Sequence, residues 1–276
     1  MLADSQALLY NLLLLLLGGV SLRFTLRRRS LLPSVFLAVV AVVGALFLGH
    51  LNQNSFYALS LLSWGLFVHA PLQLAGLAWG LRRSYPGWAR ASLAGALLVS
   101  LVGVDAFLIE PQWLEITHLT LPARGLDRPL KVAVLADFQT DVITSYERSV
   151  LRSLMQERPD LIVMPGDYLQ DYTPGRSALR EGYRALFREL EVRAPLGVHA
   201  VQGNVETLPG SLEWTFEGLP VQIYPARKTV DLGPIILTAL TLEDSFDTTL
   251  RVPPTEKFQL VLGHGPDLRA ARCRRT

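Results

Sequence analysis

Four short polar motifs follow apolar runs in the second half of the chain. They are Asp137-Phe138-Gln139, Gly166-Asp167, Gly203-Asn204-Val205-Glu206 and Gly263-His264. The runs before them, at 131–136, 161–164, 197–201 and 258–262, have the composition of buried strands. Because functional groups in an open α/β sheet gather outside the carboxyl ends of its strands, we expect these side chains to meet in one crevice.

The donor types in these motifs are carboxylate, amide and imidazole, a mixture that suits Mn, Fe or Zn better than calcium. The motifs therefore indicate a metal-dependent hydrolase. Gly-Asp and Gly-Asn are individually common turn dipeptides, so the prediction depends on their order and on each following a strand. The chain has a single cysteine, Cys273, which excludes a disulfide framework and a thiolate zinc site.

The composition divides the chain into two unlike parts. Half of its residues are hydrophobic and 18% are charged, whereas about a quarter are charged in ordinary soluble domains. The first 110 residues hold seven arginines and three acids, and the remainder holds 19 Lys and Arg against 21 Asp and Glu. No basic stripe with interleaved aromatic residues is present, so the sequence has no nucleic-acid-binding signature.

The first part, residues 1–110, is predicted to be a four-helix transmembrane region. Its apolar segments cover about 7–22, 31–51, 56–81 and 91–109, and most approach the ~20 residues that span a bilayer. The loops that carry Arg23 to Arg29, and Arg82, Arg83 and Arg90, are predicted to be cytoplasmic by the positive-inside rule. The chain then leaves the fourth helix on the extracytoplasmic side of the plasma or inner membrane.

Residues 111–129 read as a linker, and residues 130–276 read as an α/β domain. Thr144 and Glu147 have the spacing of a capping box at a helix start. A second helix is expected over 176–192, and further strands over 221–224, 228–232 and 235–240. A βαβα beginning and a strand-rich end predict a mixed sheet, with two sheets packed as a sandwich and helices outside.

The order and spacing of the four motifs resemble those of the calcineurin-like metallophosphoesterase superfamily, over about residues 130–268. The arrangement also looks like a membrane-anchored subgroup, which has helices before the catalytic domain. The resemblance implies an αββα four-layer sandwich with two divalent metal ions (Mn, Fe or Zn) at the strand ends. It also implies in-line attack by a metal-activated water on a phosphomonoester or phosphodiester.

By the same resemblance, Asp137 would bind the first metal, Asp167 would bridge both, and Asn204 and His264 would bind the second. Gln139 stands where the family has a histidine ligand, and its amide oxygen is a weaker, neutral donor. Asp141 lies close enough in sequence to assist it.

The catalytic residues implied are Asn204, Glu206 and His264. Val205 replaces a family histidine that stabilises the transition state and protonates the leaving group, which valine cannot do. Glu206 directly after it, or the more remote His199, is a candidate replacement. A missing acid/base group of this kind typically lowers the rate by ~10²–10⁴-fold.

The family pattern ends in a further Gly-His-x-His, which the sequence after His264 does not contain. The expectation is therefore a carboxy-terminally truncated or frame-shifted copy.

Three functions remain open from the sequence. The first is a membrane-anchored, extracytoplasmic phosphoesterase that acts on a lipid or envelope component. The second is a catalytically impaired relative that serves as a membrane-tethered binding or sensing module, and the third is a membrane protein whose helices carry the function. The bilayer and a phosphoester substrate are the predicted partners, and the oligomeric state is open.

Overall fold

The computed structural model of the protein describes residues 5–52, 55–170, 177–206, 208–253 and 255–265. The chain divides into two compact units, Met1–Trp113 and Leu114–Thr276. Each unit is described separately below.

The first unit is entirely helical within its described residues. Its α-helices are α1 (Ser5–Arg28), α2 (Leu32–Leu51), α3 (Ser55–Trp64), α4 (Ala70–Leu81) and α5 (Pro86–Val104). Four continuous helical stretches are long and apolar enough to cross a membrane: Ser5–Arg28, Leu32–Leu51, Ser55–Leu81 and Pro86–Gln112. This confirms the four apolar segments. The first is longer than predicted, because α1 continues through its terminal arginines, which have high helix propensity.

A π-helical turn, Gly65–His69, joins α3 to α4 directly before Pro71. The turn accommodates the proline, which lacks an N–H and cannot extend a regular helix ladder. His69 Nε2 lies 2.9 Å from Asn11 Oδ1 on α1, and within the turn the Ala70 N–H donates to the Gly65 carbonyl.

The second unit alternates strands and helices. Its elements are β1 (Val132–Val134), α6 (Ser145–Gln156), β2 (Leu161–Met164), α7 (Ser177–Glu189), β3 (Val198–Val201), α8 (Ser211–Phe216), β4 (Val221–Tyr224), β5 (Lys228–Asp231), β6 (Ile235–Ala239), α9 (Leu242–Phe246) and β7 (Phe258–Leu262). The predicted capping box is present at the start of α6, where Thr144 and Glu147 bond each other's backbone N–H groups. The short helix α9 was not predicted, although Thr241 and Asp244 form a second capping box there.

The strands form two sheets. The first has the order β1-β2-β3-β4 and is parallel throughout. The second has the order β5-β6-β7, with β5 antiparallel and β7 parallel to β6. Parallel strands need crossover connections, and α6, α7 and α8 supply those of the first sheet. The predicted mixture of α and β structure with parallel strands is therefore confirmed.

Two apolar cores lie on the two faces of the first sheet. One core packs α6, α7 and α8 against one face, through Leu151, Tyr183, Leu186 and Phe216 among others. The other core combines residues of both sheets, including Leu161, Val163, Ile235 and Leu237. The described residues thus form a helical layer and two sheets. The described residues between β4 and residue 265 include no long helix, so the predicted fourth layer remains a prediction.

Tyr168 links β2 and β3 inside the helical core. Its side chain is fully buried, and its hydroxyl lies 2.7 Å from the Met164 carbonyl and 2.6 Å from the Val201 carbonyl. Tyr168→Phe removes the donor that serves these buried carbonyls, so we expect a loss of about 1–2 kcal/mol in unfolding free energy. Thermal melting of the full-length protein in detergent measures it. The control is Tyr146→Phe at a half-buried position, and equal melting temperatures for the two variants would contradict this account.

Candidate metal centre

The loops after β1, β2 and β3 lie side by side because those strands run parallel in adjacent positions. The loop after β1 carries Asp137 and Gln139, and the Gln139 N–H donates to the Asp167 carbonyl oxygen at 2.9 Å. An isolated bridge between Thr140 and Leu169 continues this contact. The backbone therefore holds the first loop against the second.

Asp167 lies at the centre of these loops. Its side chain is buried, with 5% of the residue exposed. Oδ1 accepts a hydrogen bond from the Val205 N–H at 3.0 Å, which joins the loop after β2 to the loop after β3. A buried carboxylate is costly unless hydrogen bonds or a cation compensate its charge, and one backbone N–H leaves most of its acceptor capacity for a further partner.

Glu206 is also buried, and its carboxylate accepts three backbone hydrogen bonds. Oε2 accepts from the N–H groups of Asp167 and Gly203, at 3.0 and 2.9 Å, and Oε1 accepts from that of Tyr168 at 2.8 Å. Burial raises the pKa of Glu206, the three backbone hydrogen bonds oppose that shift, and the nearby Asp167 carboxylate adds to it.

His264 follows β7 and reaches the same place from the second sheet. Its Nδ1 lies 3.0 Å from the Pro165 carbonyl oxygen. A carbonyl oxygen only accepts hydrogen bonds, so Nδ1 carries a proton, and in the neutral ring Nε2 presents a lone pair. That Nε2 lies 3.7 Å from Asp167 Oδ1. A metal-ligating histidine usually donates its other ring N–H to a carboxylate, a backbone carbonyl or water, and the bond from Nδ1 to the Pro165 carbonyl is of this kind.

Ser245 on α9 fixes the backbone of His264. The His264 N–H donates to Ser245 Oγ at 3.1 Å, and Ser245 Oγ donates to the Thr241 carbonyl at 2.9 Å. Sequence reasoning missed both Ser245 and Pro165. The capping box of α9 was the readable signal for Ser245, whereas a backbone carbonyl partner such as Pro165 leaves no trace in the residue types.

Asp137, Asp167 and His264 form a group that could hold a metal ion. One ligand atom from each lies within 4.8 Å of the other two. Zinc and similar ions bind such atoms at about 2.0–2.2 Å, so ligand atoms this close to one another can approach a single ion with small side-chain movements. The residues present therefore fit a divalent cation.

The backbone of these loops adopts conformations that are rare outside glycine. Asp137, Gln139 and Asp167 have φ angles of 50°, 35° and 59°. Each such residue costs on the order of 1–3 kcal/mol and persists only where surrounding structure enforces it, most often at functional sites. Three of them at adjoining strand ends support the interpretation of this region as a binding site.

Gly166 and Gly203 lie in close contact. A Cβ on Gly166 would lie 2.5 Å from the Gly203 Cα and 2.9 Å from His264 Nδ1. A Cβ on Gly203 would overlap the Asp167 backbone nitrogen and carboxylate. Both glycines are therefore required by the approach of the two loops.

The remaining predicted site residues have the following positions. Asn204 is exposed, and its amide makes no hydrogen bond to the residues that the structure describes. The Gln139 side chain is half-buried, and Asp141 is exposed. The backbone N–H of Gln139 bonds Asp167 at the centre, and the ligand roles assigned to the Gln139 and Asn204 amides remain predictions.

His199 has both ring nitrogens engaged. Nε2 lies 2.8 Å from the Leu196 carbonyl, and Nδ1 lies 2.7 Å from the Tyr224 hydroxyl. Nε2 therefore donates and Nδ1 accepts. Burial lowers the pKa of His199, and the hydrogen bond to the Leu196 carbonyl opposes this shift only in part. The neutral ring is hydrogen-bonded between β3 and β4. Cys273 lies outside the described residues.

Comparisons with known proteins identify no family. No protein-family model matches the chain, and no curated protein matches it significantly. Among solved structures, one match is a protein of unknown function, AQ665, from Aquifex aeolicus, at 15% identity and a TM-score of 0.25. The match covers 40% of this chain and 59% of that protein.

The loop contact yields a direct steric prediction. Gly203→Ala places a methyl group against Asp167 Oδ1 and within 2.9 Å of Glu206 Oε2, so we expect the two loops to separate. The cost should be about 1–3 kcal/mol, as for other overpacked sites, together with weaker binding of Mn²⁺. Thermal melting and titration calorimetry measure the two effects. Gly87→Ala, where a Cβ meets nothing within 4 Å, is the control, and equal behaviour of the two variants would refute the steric argument.

Proposed function

We propose that this protein is a membrane-anchored, metal-dependent phosphoester hydrolase. The observation that carries the proposal is the convergence of Asp137, Asp167 and His264 from two sheets, with Nε2 of His264 presenting its lone pair toward Asp167. The mixed oxygen and nitrogen donors support Mn, Fe or Zn. The resemblance of the four motifs to calcineurin-like metallophosphoesterases supports the reaction class and the four-layer sandwich.

In this proposal, Asp137, Asp167 and His264 hold a divalent cation. Such a cation supplies Lewis-acid stabilisation of phosphoryl oxygens and lowers the pKa of a bound water. Asp167 is fixed by backbone hydrogen bonds, whereas Asp137 is exposed and gives a phosphoester access. The second ion implied by the resemblance depends on Gln139 and Asn204 as further donors.

The proposed substrate is a phosphomonoester or phosphodiester of a lipid or envelope component. Four helices that can cross a membrane support this assignment, because they would keep the second unit near a bilayer surface. The arginine distribution supports an extracytoplasmic position for that unit.

A non-catalytic metal-binding or sensing module is the second candidate. Val205 supports it, because the side chain at this position cannot transfer a proton. The neighbouring Glu206 carboxylate is engaged by three backbone N–H groups, which also disfavours proton transfer. This candidate requires metal binding without turnover, so calorimetry and a hydrolysis assay on the same preparation distinguish it from the first.

Asp167→Asn tests the hydrolase directly. Loss of the central carboxylate should lower Mn²⁺-dependent hydrolysis of an aryl phosphodiester by roughly 100-fold or more, since even an outer partner of a ligand is worth about 10–100-fold. Asp127→Asn, at an exposed position remote in sequence, is the matched control. Wild-type turnover in the Asp167 variant, or wild-type activity that EDTA does not affect, would disprove the proposal.

The topology has a separate test. A reporter fused after Glu110 should be extracytoplasmic, so alkaline phosphatase should be active there and a green fluorescent protein should be dark. The matched fusion after Arg83, in a loop predicted to be cytoplasmic, should give the opposite pair of signals. A fluorescent reporter after Glu110 would place the second unit in the cytoplasm and refute the predicted orientation.

A further inference from the structure

Glu206 is the most buried carboxylate among the described residues of the second unit. The residue is 3% exposed, yet no Lys or Arg pairs with it in the part of the chain that the structure describes. Its charge is compensated by the N–H groups of Asp167, Tyr168 and Gly203. Two of these donors lie in the loop after β2 and the third in the loop after β3, so one carboxylate bonds both loops.

The bonding between the two loops is reciprocal. Glu206, in the loop after β3, accepts from the backbone of the Asp167 loop, while Asp167 accepts at Oδ1 from the Val205 N–H in the loop after β3. Gln202 closes the loop after β3, because its Nε2 donates to the Glu206 carbonyl at 2.7 Å. Each carboxylate therefore fixes the loop that carries the other.

We propose that Glu206 is a positioning residue that sets the cation affinity of Asp167, and this inference rests on the proposed metal site. Its bond to the Asp167 N–H holds that residue at the left-handed φ of 59°. In that conformation the Asp167 carboxylate lies beside His264 Nε2. The Glu206 carboxylate acts through the backbone and does not itself ligate the ion.

This assignment replaces direct acid–base catalysis by Glu206. Oε2 accepts two hydrogen bonds and Oε1 accepts one, all from N–H groups that cannot rotate away as a side-chain donor can. Both lone pairs of Oε2 are therefore engaged, and one lone pair of Oε1 is engaged as well. Glu206 is therefore held as an acceptor, and its role is to orient Asp167.

Glu206→Gln in the full-length protein tests the proposal. The amide keeps the size of the side chain, but its NH₂ group must face at least one backbone N–H. At least one of the three hydrogen bonds that Glu206 accepts is therefore lost. We expect Mn²⁺ affinity, measured by titration calorimetry, to fall roughly 10–100-fold, as for other groups that orient a ligand. The control is Glu213→Gln on the exposed face of α8, which removes the same charge and should leave the affinity unchanged.

Turnover at saturating Mn²⁺ separates positioning from catalysis. A positioning role predicts that excess Mn²⁺ returns the turnover number of Glu206→Gln to within a few-fold of wild type. A deficit of ~10²-fold or more at saturation is the signature of a lost acid/base group and would overturn the proposal. A lower melting temperature with unchanged Mn²⁺ affinity would reduce Glu206 to a purely structural role and would also overturn it.

Two further measurements keep the test decisive. Hydrogen exchange of the metal-free protein should be faster at the Asp167, Tyr168 and Gly203 amides in the variant, and unchanged exchange would contradict the bracing. If Glu206→Gln does not fold, Glu206→Asp decides, since it keeps the charge but is one methylene shorter and should also weaken Mn²⁺ binding. Wild-type protein without Mn²⁺ affinity would refute the proposed function itself, whereas equal affinities in wild type and variant refute only the role of Glu206.

Discussion

The contact between the loops after β2 and β3 is the constraint on which the rest of the site depends. Gly166 and Gly203 bring the two backbones so close that neither position has room for a Cβ. At this distance Asp167 and Glu206 reach the backbone N–H groups of the opposite loop. Two buried carboxylates are then stabilised mainly by main-chain dipoles, which leaves Asp167 oriented but only partly satisfied.

The parallel sheet explains three of the four motifs, and the packing of two sheets explains the fourth. The strands β1, β2 and β3 are adjacent and parallel, so their carboxyl ends lie next to one another at one edge of the sheet. His264 follows β7, which belongs to the other sheet, so its position depends on the core that both sheets share. The separation of His264 from Asp167 is therefore a property of inter-sheet packing, and substitutions in that core should reach the site through it.

Sequence patterns were sufficient where a run of residues settles its own structure. The strands at 161–164, 221–224 and 258–262 have the predicted bounds because each is a short apolar run, and the Thr144–Glu147 capping box is local. The role of Glu206 was not predictable, since two of its three donors are backbone groups 38 and 39 residues away. Likewise the pairing of His69 with Asn11 on another helix was not predictable, because the two residues are 58 positions apart in the chain.

The distance between His264 and Asp167 is compatible with the proposed cation between them. A protonated imidazole bonded to a carboxylate would lie at about 2.7–2.9 Å, whereas Nε2 and Oδ1 are 3.7 Å apart. The proton on Nδ1 is directed at the Pro165 carbonyl, so in the neutral ring a lone pair of Nε2 faces the Asp167 carboxylate across this gap. Ligands of one metal ion, each about 2.0–2.2 Å from it, are separated by distances of this order. Asp137 supplies a third donor. A divalent ion held by the three residues would compensate the negative charge of Asp167, which the single backbone N–H at Oδ1 compensates only in part.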